Sequence, residues 1–177
     1  MVAIQRLAAD TIRMERTLEA PVETVWRWLV EPDLRAQWFA GGAIELHEGG
    51  ALTLEFDHDK LSADDVPYPE EYGCKKGIKS PERIVRIDPP HLLAFTFQEG
   101  KEGVATFELS DAGSGRTRLV LTHSGITGPV PMASFAGGWT SHLAVLQTRL
   151  AGGEVRDFWA LHAQCREEVK EALGADA

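Results

Sequence analysis

Four consecutive segments between residues 82 and 125 alternate apolar and polar residues in one phase: "ERIVRIDPP", "HLLAFTFQEG", "GVATFELSD" and "RTRLVLTHSG". A period of two sends alternate side chains to opposite faces of a strand. The apolar sets are Val85/Ile87, Leu93/Phe95/Phe97, Ala105/Phe107/Leu109 and Leu119/Leu121, and continuing the last set adds His123. Short turns join the segments, so they predict an antiparallel meander with one apolar face. Such a face must be covered.

One downstream stretch can provide the cover. In "GGWTSHLAVLQTRLAGG", Trp139, Leu143, Leu146 and Leu150 fall within about 40° of one line on a helix, and His142 sits about 60° to the side. The reading is a long helix over 139–151, entered through Gly137-Gly138 after a proline-containing loop and ended by Gly152-Gly153.

Upstream, "TIRMERTLEA" (11–20) alternates as a strand, with Ile12, Met14 and Leu18 on the apolar face and Arg16 intruding on it. "APVETVWRWLVEP" and "DLRAQWFAGG" predict two short helices, with Pro32 stopping the first and Asp33 a possible cap of the second. "AIELHE" and "ALTLEFD" flank Gly49-Gly50 and read as a hairpin. Residues 57–81 carry no lasting period and are expected to form a long polar surface loop, with one short helical turn at most. A tail segment after Gly153 places Phe158, Leu161, Cys165 and Ala172 at helical spacing. The fold class expected is α+β: an antiparallel sheet covered by a long C-terminal helix, with two short helices after the first strand and an extra helix at the end. The domain spans 10–152 and the helical extension 153–177.

Composition excludes several function classes. A net charge of −9 in 177 residues opposes nucleic-acid binding, which needs clustered Lys and Arg. No stretch approaches the roughly 20 apolar residues of a membrane span, and "MVAIQRLAAD" lacks the pattern of a signal peptide, so the expected location is cytoplasmic. Cys74 and Cys165 are far apart and read as free thiols. "DHD" at 57–59 invites a metal reading, but three adjacent residues of a strand cannot all face one ion, and a solvated loop start is the expectation. No resident metal or cofactor is expected. The G-x-S-x-G, HExxH, P-loop and GxGxxG patterns in their required contexts are missing from the sequence.

The runs "ERTLEAPVETVWRWLVEPDLRAQWF", "DPPHLLAFTF", "TRLVLTHSG" and "GGWTSHLAVL", in this order over residues 10–152, resemble the bacterial proteins similar to the C-terminal domain of the activator of Hsp90 ATPase. That family sits in the START/Bet v 1-like (SRPBCC) superfamily. The resemblance implies a helix-grip fold, a curved sheet around a long helix with a hydrophobic cavity between them, and a role in holding a small apolar or amphipathic ligand. It also admits two other classes. One is a cyclase or dehydratase that uses cavity histidines. The other is a co-chaperone-like interaction module working through loop 57–81, the tail helix or a homodimer.

On this reading the ligand-binding residues are Arg16, Trp38, Phe56, Phe95, Phe107, Leu121, His123, Trp139, His142 and Leu146. Each has a plainer alternative. Trp139 could simply plug one end of the sheet, as aromatics at helical spacing usually do. His123 and His142 could orient a ligand headgroup or hydrogen-bond locally, and His142, placed in a first helical turn, should be neutral. Arg16 needs a carboxylate, solvent or an anionic ligand. Trp38 and Phe39 could wall a pocket or staple the helix pair to the sheet. A void of about 300 Å³ or more beneath the long helix separates ligand binding from a filled interior.

Overall fold

The computed structural model describes residues 4–174. Seven antiparallel strands form one sheet in the order β1-β2-β7-β6-β5-β4-β3. They are β1 (Ile4–Ala8), β2 (Thr11–Leu18), β3 (Ala51–Glu55), β4 (Lys79–Asp88), β5 (Leu92–Thr96), β6 (Val104–Gly113) and β7 (Arg116–Ser124). Helices α1 (Val22–Val30) and α2 (Pro32–Arg35) follow β2, and α3 (Pro129–Leu150) and α4 (Phe158–Leu173) close the chain.

The alternation read from β5, β6 and β7 is the alternation seen. Leu93, Phe95, Ala105, Phe107, Leu109, Leu119, Leu121 and His123 are all buried. Register pairs Phe95 with Ala105, Phe107 with Leu121, and Ala105 with His123 across the sheet. On this face lies α3, where Trp139 meets the edges of Phe97 and Phe107 at 5.5 and 5.6 Å between ring centres. Trp38, after α2, reaches Phe107 edge-on at 6.3 Å, so the helix pair packs on the same side.

Four local expectations are corrected. In β4 the buried residues are Glu82 and Ile84, while Val85 is exposed. The pairing with β5 shifts register between Ile84 and Arg86, and one extra residue reverses which side chains face inward. "AIELHE" is no strand. It follows β3 through single bridges at Gly41–Glu55 and Ile44–Leu52, with Leu46 half exposed. The sheet instead gains β1, a short edge strand paired to β2 whose one buried residue, Ile4, gives no readable alternation. The second short helix has Glu31 at its N-cap position without a side-chain cap hydrogen bond, with Pro32 first in the helix and Asp33 inside it.

The largest correction concerns α3, which starts at Pro129. Pro129 and Pro131 sit in its first turn, where the N–H that proline lacks would have no partner anyway. Gly137 and Gly138 therefore lie mid-helix, and His142 is more than three turns from the helix start. Gly137 has a packing reason: a Cβ there would stand 2.9 Å from Arg166 Cγ on α4. Because α4 covers its second side, α3 is buried beyond the predicted stripe, at Thr140, Ser141, His142 and Val145 as well. In α4, Asp157 caps the helix by accepting from the Ala160 N–H at 2.9 Å. Its buried stripe is Phe158, Trp159, His162, Cys165 and Val169, whereas Ala172 is exposed.

Candidate functional site

An open cleft of about 740 Å³ lies between the first half of α3, helix α4 and the segment linking β3 to β4. From α3 it takes Phe135, Gly138, Trp139 and His142. Helix α4 supplies Phe158, Trp159, His162, Arg166 and Lys170. The sheet end gives Phe97 and Ser80, the turn after α2 gives Phe39, and the linking segment Phe56, His58, Tyr72, Lys75 and Ile78.

The linking segment is not a solvated loop. It contains two short 3-10 turns, His58–Leu61 and Glu70–Lys75, and both turn aromatic rings inward. His58 packs against Phe158 and Trp159 at 5.2 and 5.0 Å. Tyr72 stacks on Trp159 at 4.9 Å with planes 16° apart. The neighbours of His58 in "DHD" face outward: Asp57 pairs with Lys60, and Asp59 with Lys76 at 2.7 Å. Among the described residues no three or more His, Cys, Asp or Glu are grouped to hold a metal ion.

A chain of hydrogen bonds fixes the wall formed by α4. Arg166 Nη1 donates to Tyr72 Oη at 2.9 Å, and the Tyr72 hydroxyl donates to His162 Nε2 at 3.0 Å. His162 Nδ1 donates to Ser141 Oγ at 2.8 Å, and the Ser141 hydroxyl donates to the Gly137 carbonyl at 2.7 Å. Each group holds one role consistently, which requires a neutral His162. Burial, then the nearby Arg166 charge, pushes its pKa down to about 4. His142 donates through Nδ1 to the Trp38 carbonyl at 2.8 Å, which leaves Nε2 an acceptor on the cleft side. Burial, then His58, lowers its pKa to about 3. The predicted neutrality thus holds for a different reason, since the residue is buried mid-helix rather than near a helix start. His58 is lowered to about 4, chiefly by burial and then by His162, and its buried Nδ1 has no hydrogen-bond partner.

A buried carboxylate organises the sheet end of the cleft. Glu82 accepts from the Ser80 and Thr96 hydroxyls at 2.6 Å each, and from the backbone N–H groups of Gln98 and Glu99 at 2.8 and 3.1 Å. Gln98 and Glu99 have φ of 49° and 56°, a costly conformation for residues with a Cβ, and Glu82 holds them there.

Of the ten residues read as ligand-binding from the sequence, Phe56, Trp139 and His142 line the cleft. The others lie elsewhere. Phe95, Phe107 and Leu121 are buried on the sheet face under α3, with Leu146 buried on α3 itself, so the space beneath the middle of that helix is filled and the open volume sits toward its first half. Trp38 is buried, its ring N–H donating to the Trp28 carbonyl at 2.8 Å. Both nitrogens of His123 are engaged: Nδ1 accepts from Trp139 Nε1 at 3.0 Å, and Nε2 donates to the Glu102 carbonyl at 2.7 Å. Burial lowers its pKa too. Arg16 lies on the seam between β2 and α4, near Cys165 and Glu168, and donates to the Glu15 carbonyl at 2.7 Å. The partner is thus a backbone oxygen, none of the three expected from the sequence.

Sequence reading missed His58, Tyr72, His162 and Arg166. Only His162 carried a local signal, four residues after Phe158 on the helix face that also holds Cys165.

A curved antiparallel sheet gripping a long helix, with an aromatic cleft at one end, defines a helix-grip α+β protein. The chain belongs to the family described as Activator of Hsp90 ATPase homolog 1-like protein, whose pattern matches residues 19–151. Among solved structures, a Bordetella parapertussis protein determined by solution NMR is 39% identical, with a TM-score of 0.78 over 94% of this chain and 88% of that one. A conserved protein of unknown function from Enterococcus faecalis is 21% identical, with a TM-score of 0.63 over 96% and 91% of the two chains. The CalU16 protein of Micromonospora echinospora, at 18% identity and a TM-score of 0.68 over 100% and 96%, shares the fold. Among curated proteins, none matches the sequence. Among the described residues no helix is long and apolar enough to cross a membrane.

Proposed function

We propose that the protein binds a small, largely apolar ligand in the cleft between α3, α4 and the 56–80 segment. The observation carrying this reading is an open volume of about 740 Å³ whose walls include eight Phe, Tyr and Trp side chains. Ligand sites of drug-sized molecules begin near 300 Å³ and combine apolar walls with a few placed polar groups. Here those groups are neutral imidazoles, which can orient a hydroxyl or amide without the cost of burying a charge. Histidines with pKa values near 3 and 4 are weak bases at neutral pH, and His123, the expected partner of His142 in proton transfer, lies outside the cleft. The observations therefore favour holding a ligand over transforming it.

Titration with N-phenylnaphthylamine, a neutral dye that brightens in apolar surroundings, tests the reading. Saturable one-site binding is expected. A Gly138→Leu variant, which fills a position with no atom within 4 Å of its added Cβ, should fold normally and lose that binding. Equal binding by this variant, or none by the parent protein, would refute the proposal.

A further inference from the structure

We infer that the ligand is an amphipathic anion, its ring or chain body held among the cleft aromatics and its single acidic group at the mouth beside Lys75, Arg166 and Lys170. This rests on the cleft-binding reading above and adds the charge and orientation of the occupant.

The chain carries 27 acidic and 18 basic residues, so a randomly lined surface would show more carboxylates than cations. The cleft lining shows the reverse: it includes Lys75, Arg166 and Lys170 and no Asp or Glu. The carboxylates nearest these cations stand outside the lining. Glu71 pairs with Arg166 at 3.1 Å and Glu167 with Lys170 at 2.6 Å. Among the described residues Lys75 has no carboxylate within ion-pair distance. Its ammonium stands 5.6 Å from the centre of the Tyr72 ring, the ring that stacks on Trp159 in the cleft wall. A positive charge without an acidic partner thus borders an aromatic surface.

The interior determines the orientation. His58, His142 and His162 stay neutral, so the deep part of the cleft offers an acidic group no opposite charge and would strip it of water. At the mouth the same group keeps part of its hydration and gains Lys75, which has no acidic partner, beside Arg166 and Lys170, each already paired with one carboxylate. A cationic amphipath would meet like charge there, and a neutral one would gain nothing from it. Each exposed cation contributes modestly, and together they are worth about a tenfold preference for the anion at low salt.

Two dyes with one skeleton separate the ideas: anilinonaphthalene sulfonate carries a negative charge that N-phenylnaphthylamine lacks. The sulfonate should bind about tenfold more tightly at low salt, and the advantage should shrink to about twofold or less in molar salt. In Lys75→Glu/Lys170→Glu the preference should invert, read as the ratio of sulfonate to neutral-dye affinity within the same variant. Neutral-dye binding with no sulfonate advantage, or an advantage unchanged by charge reversal, overturns this inference and leaves the cleft reading intact. Failure of both dyes overturns the two together.

Discussion

Acidification should destabilise this protein through its buried histidines, starting above the pH at which carboxylates titrate. Imidazoles titrate near 6.5 when exposed, but burial holds His58 and His162 at about 4 and His142 at about 3. The folded state excludes protons that the unfolded chain accepts. Their stabilisation is therefore complete above about pH 6.5 and declines as pH falls toward 4. At pH 5.5 each histidine is roughly nine-tenths protonated when unfolded and nearly unprotonated when folded. Three such groups give a slope of about 3.5 kcal/mol per pH unit. With some screening at the half-buried His58, the loss between pH 7 and pH 5 comes to about 4 kcal/mol, a large share of a typical domain's 5–15 kcal/mol.

The neighbouring charges modify this without reversing it. Asp57 and Asp59 oppose the shift at His58 and Glu71 opposes it at His162, whereas Lys75 and Arg166 favour the neutral rings. Glu15, Glu31 and Glu167 are held below their ordinary carboxylate range by Arg partners or Lys170, so their stabilisation fades only at lower pH. Urea unfolding followed by far-UV circular dichroism at half-unit steps from pH 7 to 5 measures the slope. His142→Asn keeps a donor for the Trp38 carbonyl and removes the titrating ring, so the slope should fall by about 1.2 kcal/mol per pH unit at pH 5.5. A flat profile, or an unchanged slope in the variant, would refute the argument.

The two mid-helix glycines should respond differently to alanine. Gly138→Ala meets open space and should stabilise by about 1 kcal/mol through helix propensity, whereas Gly137→Ala must displace Arg166 from Tyr72 and should be neutral or destabilising. Urea midpoints decide it, and Gly138→Ala no more stable than Gly137→Ala would contradict the packing. Glu82→Gln turns a pure acceptor into a group with two N–H donors among four donors, so stability should drop by about 2 kcal/mol. Amide exchange at Gln98 and Glu99 should accelerate in this variant, and unchanged exchange would show that the carboxylate does not hold the turn.

Local patterning was sufficient for the sheet face and for the stripe of the helix that covers it, while the family followed from the resemblance of four motifs in order. Burial on one side imposes a period of two on β5, β6 and β7 and a helical stripe on Trp139, Leu143 and Leu146, and both survive in the linear order of residues. Its limits are equally physical. A one-residue register shift in β4 exchanged Val85 for Ile84, an event governed by pairing with β5. Prolines that read as loop in isolation occupy the one helical turn that tolerates them.

The site belongs to tertiary structure almost entirely. His162 and Tyr72 meet across 90 residues, and Trp38 and His142 across 104, distances over which no periodicity carries information. His58 and Tyr72 lie in a stretch without any period, and they become inward-facing only because Phe158 and Trp159 of α4 offer them a surface. Alternation records which side of an element is dry; which elements share that dryness is decided by packing alone.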